Sequence, residues 1–227
     1  MSAATAKPLS LREAVAGLRT LYGRPAKPAT SDPFELVLWE NVAYLAPPDR
    51  RREAFEHLKK TIGTSPARIL KASRAALDKV TAHGVMKEVF TAKLVESARI
   101  AIERFDGDLD GAVRQPLAAA RKALRAFPGI GEPGAEKILL FSGSQALLAP
   151  ESNGLRVLAR LGIIREGKSY ARTYAAGRDA AAALDAKPSV LLEAHLLLQQ
   201  HGQTLCKRTA PRCVACPLEA RCLYTSA

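Results

Sequence analysis

All four cysteines of this 227-residue chain fall in its last 22 residues, at Cys206, Cys213, Cys216 and Cys222. The spacing is C-x6-C-x2-C-x5-C, and no cysteine remains elsewhere for a distributed disulfide framework. Clustered thiolates of this kind read as a metal site, with a redox pair or disulfides as the lesser alternative. Four thiolates suit a tetrahedral zinc ion or an iron–sulfur cluster, and the spacing alone leaves both open.

A second stretch with chemical potential is Phe127-Pro128-Gly129-Ile130-Gly131. Two glycines around one apolar residue permit positive φ and close backbone approach, and an apolar-periodic segment with Ala135, Ile138 and Leu139 follows. This reads as a helix ending at Phe127, a tight turn, and a second helix from near Glu132. A helix that starts so leaves unpaired N–H groups pointing outward, which is an anion site. An ordinary helical hairpin has the same pattern. Glu40 is a carboxylate in the otherwise apolar run Leu38-Trp39-Glu40-Asn41-Val42, where burial would raise its pKa and suit it to donate a proton. A solvent-facing Glu on a half-exposed helix is the plainer reading. Asn41 and Tyr44, close to Glu40 on that helix, are candidates to line a pocket beside it.

The elements that must carry these residues read as helices throughout. Ser10 caps a helix to Tyr22, with Leu11, Ala14, Val15, Leu18 and Leu21 on one face. Pro25 and Pro28 mark a linker, and Asp32-Pro33 opens an apolar helix to Leu45. Further helices are expected over 50–62, from Ser65-Pro66, and over 75–83, 90–105 and 115–127. After the hairpin they continue over 153–161, 169–184 and 188–200, the last ending at Gly202. Asp106, Asp108 and Asp110 resemble half of a calcium loop, but Leu117 stands where the closing Glu belongs, so the loop reads as a solvated turn. No useful segment alternates with period two, so the fold class is all-α.

The formal net charge is +12, the electrostatic footprint of a nucleic-acid binder, although an anionic membrane or mere solubility can use it too. Aromatic residues are only 5% of the chain, which argues against a broad base-stacking platform. No run approaches a membrane span, and the first residues lack a signal-peptide core. These features predict a soluble intracellular protein without a membrane partner, at the nucleoid or, in a eukaryote, the nucleus.

The run Phe-Pro-Gly-Ile-Gly, then Ala135, Ser152-Asn153 and Arg156-Val157-Leu158-Ala159-Arg160, resembles the helix-hairpin-helix DNA glycosylases. The similarity is to the branch of endonuclease III and the adenine glycosylases. It covers roughly 34–222. The cysteine spacing matches the [4Fe–4S] loop of that branch, as do His201-Gly202 before the first Cys and Pro211-Arg212 before the second.

The resemblance implies two helical lobes with a DNA cleft between them. These are a barrel at about 33–147 that includes the hairpin, and a cluster lobe at 148–227 joined by 1–32. It also implies a [4Fe–4S] cofactor on the four cysteines, double-stranded DNA as partner, and a monomer. Gly129 and Gly131 would hold a DNA phosphate, and Lys207, Arg208 and Arg212 of the cysteine loop would face phosphates.

The family's lyase members carry a Lys two residues after the second Gly, and the family carries an Asp at a fixed distance beyond. Here those places hold Pro133 and Glu151, and 151 − 133 = 18 matches the family spacing without a gap. Pro133 cannot form a Schiff base. Lys137 lies a helical turn later, about 5–6 Å away, and reads as a solvated or phosphate-contacting Lys. Glu151 precedes a helix whose dipole favours its charged form, and it can stabilise a sugar cation or deprotonate a water. Glu40 matches the Glu with which adenine glycosylases protonate the departing base. The implied function is a monofunctional base-excision DNA glycosylase. The alternative is a non-catalytic iron–sulfur protein of the same fold that recognises lesions or DNA structures.

Overall fold

Ser10 opens the first helix. Its hydroxyl accepts the Glu13 amide at 3.3 Å while the Glu13 carboxylate accepts the Ser10 amide at 2.8 Å, satisfying two donors that a helix start leaves open. This helix, α1 (Leu11–Tyr22), buries Leu11, Ala14 and Leu18 and stops at Gly23, whose φ of +70° side chains with a Cβ rarely adopt. Leu21 is not on the buried face and is 44% exposed.

The computed structural model describes residues 9–43, 45–185 and 187–225. Every regular element among them is an α-helix or a 3-10 turn, as the absence of period-two patterning predicts. The chain forms two compact units, one of Lys27–Gln145 and one of Met1–Ala26 with Ala146–Ala227.

In the first of these, Asp32 accepts the Glu35 amide at 2.7 Å and Pro33 supplies the first helical residue of α2 (Pro33–Val42). Phe34, Leu36, Val37, Leu38 and Val42 are buried, as the apolar sequence requires. The helix ends at Val42 and does not reach Leu45, which is 70% exposed at φ +57°. Next come α3 (Pro48–Thr61), α4 (Pro66–Lys71), α5 (Arg74–Thr81) and α6 (Lys87–Phe105), and α6 packs on α2, α4 and α5. The Asp-rich loop is a turn in which Asp108 accepts the Asp110 amide at 2.8 Å, leading into the single-turn α7 (Asp110–Val113).

The hairpin helices are α8 (Leu117–Leu124) and α9 (Glu132–Phe141), and α8 is shorter at both ends than its sequence pattern suggests. Phe127, just past α8, stacks on Phe105 at 5.8 Å and leans on Phe34 at 6.4 Å. The fully buried Glu136 of α9 pairs with Arg121 of α8, so an ion pair as well as apolar packing holds the two helices together.

The other unit adds α10 (Ser152–Arg160), α11 (Tyr170–Asp179) and α12 (Pro188–Thr204) to α1. α12 packs against both α1 and α10. Gly202 does not end α12, which continues to Thr204. Its role is close approach, because a Cβ there would lie 2.7 Å from both the Cβ and the carbonyl oxygen of Asn153. No described helix is long and apolar enough to cross a membrane.

Two stability predictions follow from this packing. Arg121→Met leaves Glu136 buried without its cation and should cost about 3–5 kcal/mol, whereas Arg121→Met with Glu136→Leu should recover most of that. Thermal unfolding of the two variants checks this, and an unchanged melting temperature in the single variant would refute it. Gly202→Ala should cost about 1–3 kcal/mol by forcing α10 and α12 apart. Gly111→Ala, where a Cβ meets nothing within 4 Å, is the matched control.

Candidate functional site

The hairpin turn is held from below. Asn41 of α2 donates its side-chain amide to the Pro128 carbonyl at 3.1 Å and to the Val37 carbonyl at 3.2 Å. Gly129 sits at φ +78°, and a Cβ there would lie 2.9 Å from the Asn41 side-chain oxygen. Gly131 has an ordinary φ of −84° and is the residue before α9, whose first turn then contains Pro133. The position expected to line a base pocket, Asn41, is thus buried under the turn, 1% exposed, with its amide engaged by backbone. Tyr44, the other such candidate, lies outside the described residues.

A cation accompanies the turn. The Lys93 ammonium of α6 lies over the Phe90 ring at 4.3 Å and would be 3.4 Å from a Cβ on Gly129. Together with the α9 N-terminus, this places positive potential at the turn from two sources. The sequence carries no signal for Lys93, because the periodicity of α6 does not say that it passes beside residue 129.

Lys137 is neither solvated nor set apart for phosphate. It donates to the Glu40 carboxylate at 2.8 Å, and both side chains are largely buried. The candidate proton donor therefore rests in an ion pair that joins α2 to α9.

In the other unit, Glu151 caps α10. One carboxylate oxygen accepts the Asn153 and Gly154 amides at 3.0 and 3.1 Å, and the other accepts the Asn153 side chain at 2.8 Å. Asn153 in turn accepts from Arg156 at 2.8 Å. The same guanidinium donates to the Gly202 carbonyl at 2.7 Å and the Cys206 carbonyl at 2.9 Å. Burial pushes the Arg156 pKa down from its usual value. Tyr170, at the start of α11, feels Glu151 as well: partial burial first, then the carboxylate's charge, push its pKa up.

The four thiols line one small cavity, together with His201, Arg160 and Tyr224. Among the described residues, no three His, Cys, Asp or Glu side chains converge closely enough to hold a metal ion. Several donors point at sulfur. The Leu218 amide donates to Cys216 Sγ at 3.4 Å, and Arg160 donates to Cys206 Sγ at 3.4 Å. His201 lies between Tyr22 Oη at 3.0 Å and Cys216 Sγ at 3.5 Å, and burial lowers its pKa to about 4, so it is neutral at pH 7. Burial raises the Cys216 pKa. Arg160 also grips the loop through the Lys207 carbonyl at 2.7 Å and the Arg208 carbonyl at 3.2 Å. The side chains of Lys207, Arg208 and Arg212 are exposed. Arg156 and Arg160 are one helical turn apart, the spacing that puts both on one face of α10. That spacing was the available signal for their shared task.

No family model matches the chain, and neither does any curated protein sequence. Solved structures do match. An endonuclease III–DNA covalent intermediate superposes with a TM-score of 0.77 at 16% identity, over 95% of each chain. A thermostable thymine-DNA glycosylase gives 0.76 at 16% identity, over 95% of this chain and 96% of its own. The H. pylori 3-methyladenine DNA glycosylase bound to 1,N6-ethenoadenine gives 0.63 at 17% identity, over 86% of this chain and 95% of its own. This chain has the fold of the helix-hairpin-helix DNA glycosylases.

Proposed function

We propose that the protein is a monofunctional base-excision DNA glycosylase that acts as a monomer on double-stranded DNA, at the nucleoid or in a nucleus. The observation that carries this reading is the hairpin, a Gly turn at φ +78° pinned through Pro128 and flanked by Lys93, in a chain with the glycosylase fold. Gly129, Gly131 and Lys93 bind a DNA phosphate there. Lys207, Arg208 and Arg212 contact further phosphates.

The N-glycosidic bond breaks with positive charge on the sugar and a proton delivered to the departing base. Glu151, held by its cap, stabilises that charge or takes the proton of the water that adds to the sugar carbon. Glu40, positioned by Lys137, relays the proton: its carboxylate takes one from water and passes it to the departing base. Asn41 is a positioning residue for the hairpin. No lysine amine stands at Pro133, and Lys137 is engaged by Glu40, so a covalent imine with the sugar is not expected.

The cysteine spacing supports a [4Fe–4S] cluster that Cys206, Cys213, Cys216 and Cys222 would hold. The four thiols surround one cavity, and the Leu218 amide and Arg160 guanidinium aim N–H groups at sulfur, which stabilises anionic thiolates. Such a cluster, when bound, crosslinks a loop that has little apolar core of its own.

Abasic-site formation on a panel of duplexes with modified or mispaired bases tests the activity. At least one base should be released, with the strand intact until alkali is added. Glu151→Gln keeps an oxygen for the α10 cap, so its melting temperature and duplex affinity should hold while excision falls by roughly 10²-fold or more. No release from any substrate, with lesion binding retained, would favour the non-catalytic reading, which the engagement of both carboxylates in other contacts also suits. Borohydride trapping of the unmodified protein would refute the monofunctional assignment, and its loss in Lys93→Ala would identify the amine.

Anaerobically purified protein should be brown and contain iron, and Cys213→Ser should lose iron and loosen the loop to proteolysis. Stoichiometric zinc without iron would refute the cluster.

A further inference from the structure

A second feature of the unit that holds the cysteines is a broad open basin of about 1140 Å³ beside α10 and the start of α11. Its rim carries Arg165, Lys168 and Arg208, all exposed, and none has an ion pair among the described residues. The one acidic side chain that lines the basin is Glu166. Two aromatic rings share the basin. Tyr170 is 52% exposed, and its ring is backed by the buried Tyr174 at 6.1 Å, nearly parallel. Tyr224 is 48% exposed and is held by the Arg160 guanidinium over its ring at 4.2 Å.

The rim is anchored. Ser169 caps α11 by accepting the Arg172 amide, and the Gly167 amide donates to Thr173 at 3.0 Å. A Cβ on Gly167 would lie 2.5 Å from Arg172, so the loop lies flat on α11 and presents its cations in place. Arg156 and Arg160 line the basin too, but they are engaged in holding Asn153 and the start of the cysteine loop.

Unpaired cations draw a polyanion. Exposed ring faces that are fixed from behind draw flat π systems, and duplex DNA offers none along its side, because its bases are stacked inside. We infer that this basin is a second nucleic-acid site that takes an unpaired stretch of DNA strand, with bases against Tyr170 and Tyr224 and phosphates on Arg165 and Lys168. Ser152, the first residue of α10, also lines the basin. The inference does not depend on excision: a strand can bind here whether or not a base is released.

The test is fluorescence anisotropy of the full chain with a labelled thymidine 12-mer and with a blunt duplex of the same length, across a salt series. The 12-mer should bind. Tyr170→Ala should weaken it about 10-fold with the salt slope unchanged, and Tyr170→Phe should bind as the unmodified protein does. Arg165→Ala with Lys168→Ala should lower the slope of log K against log salt by about 1.4, at about 0.7 per phosphate of a single strand. Duplex affinity should change less than 12-mer affinity in the Tyr170→Ala variant. These side chains are exposed, so melting temperatures should be unaltered. Absence of 12-mer binding would overturn the inference, as would equal affinity in Tyr170→Ala, an unchanged slope in the double variant, or equal losses for strand and duplex. A failure to excise any base, with these strand results intact, would instead count against the glycosylase reading alone.

Discussion

One half-buried guanidinium ties together much of the unit that holds the cysteines. Arg156 reaches Asn153, which carries part of the Glu151 cap, and it reaches the carbonyls of Gly202 on α12 and Cys206 at the first thiol. A charge in that position has lost much of its hydration, so each of its donors must find an acceptor. The acceptors it finds lie on its own helix, α10, and on the end of α12 with the residues just after it. The position of the candidate carboxylate, the contact of α10 with α12 and the entry to the cysteine loop are therefore set together. Gly202 is part of the same constraint, since only a residue without a Cβ lets Asn153 come close enough.

The hairpin unit uses a neutral counterpart. Asn41 satisfies a turn carbonyl from a helix that is far away in sequence, and Phe127 is wedged between Phe105 and Phe34. Polar and apolar anchors thus act on neighbouring residues of one turn. The Arg121–Glu136 and Lys137–Glu40 pairs then tie α9 to α8 and to α2. Largely buried pairs contribute little net stability, but losing one partner is costly, so they specify how α9 sits more than they strengthen it. The two pairs thus fix where the N-terminus of α9 lies beside the Gly129 turn.

Charge is distributed with similar economy. A net +12 could have been spread as a solvated coat. Instead Arg156 and Arg160 are engaged in holding the cysteine loop, whereas Arg165, Lys168 and Arg208 stay exposed at the α10–α11 basin. The low aromatic content argued against a broad stacking platform, and none is needed: two of the five tyrosines line one basin.

Local physics was legible in the sequence. The caps at Ser10 and Asp32, the Pro33 start, the positive-φ stop at Gly23 and the Gly129 turn each depend on a few adjacent residues, and the structure has them where their chemistry requires. The all-α class followed from periodicity for the same reason. What sequence could not decide was which partner a side chain meets across the fold. Leu21 has the spacing of a buried residue but is exposed, and Gly202 looks like a helix stop but is a contact point. Lys137 looks solvated but holds Glu40, and Asn41 looks like a pocket residue but holds the turn. Lys93 gave no signal at all. Periodicity says which face of a helix is apolar, not what lies against it. The roles of these residues arise from contacts between positions tens of residues apart, which only the folded chain brings together.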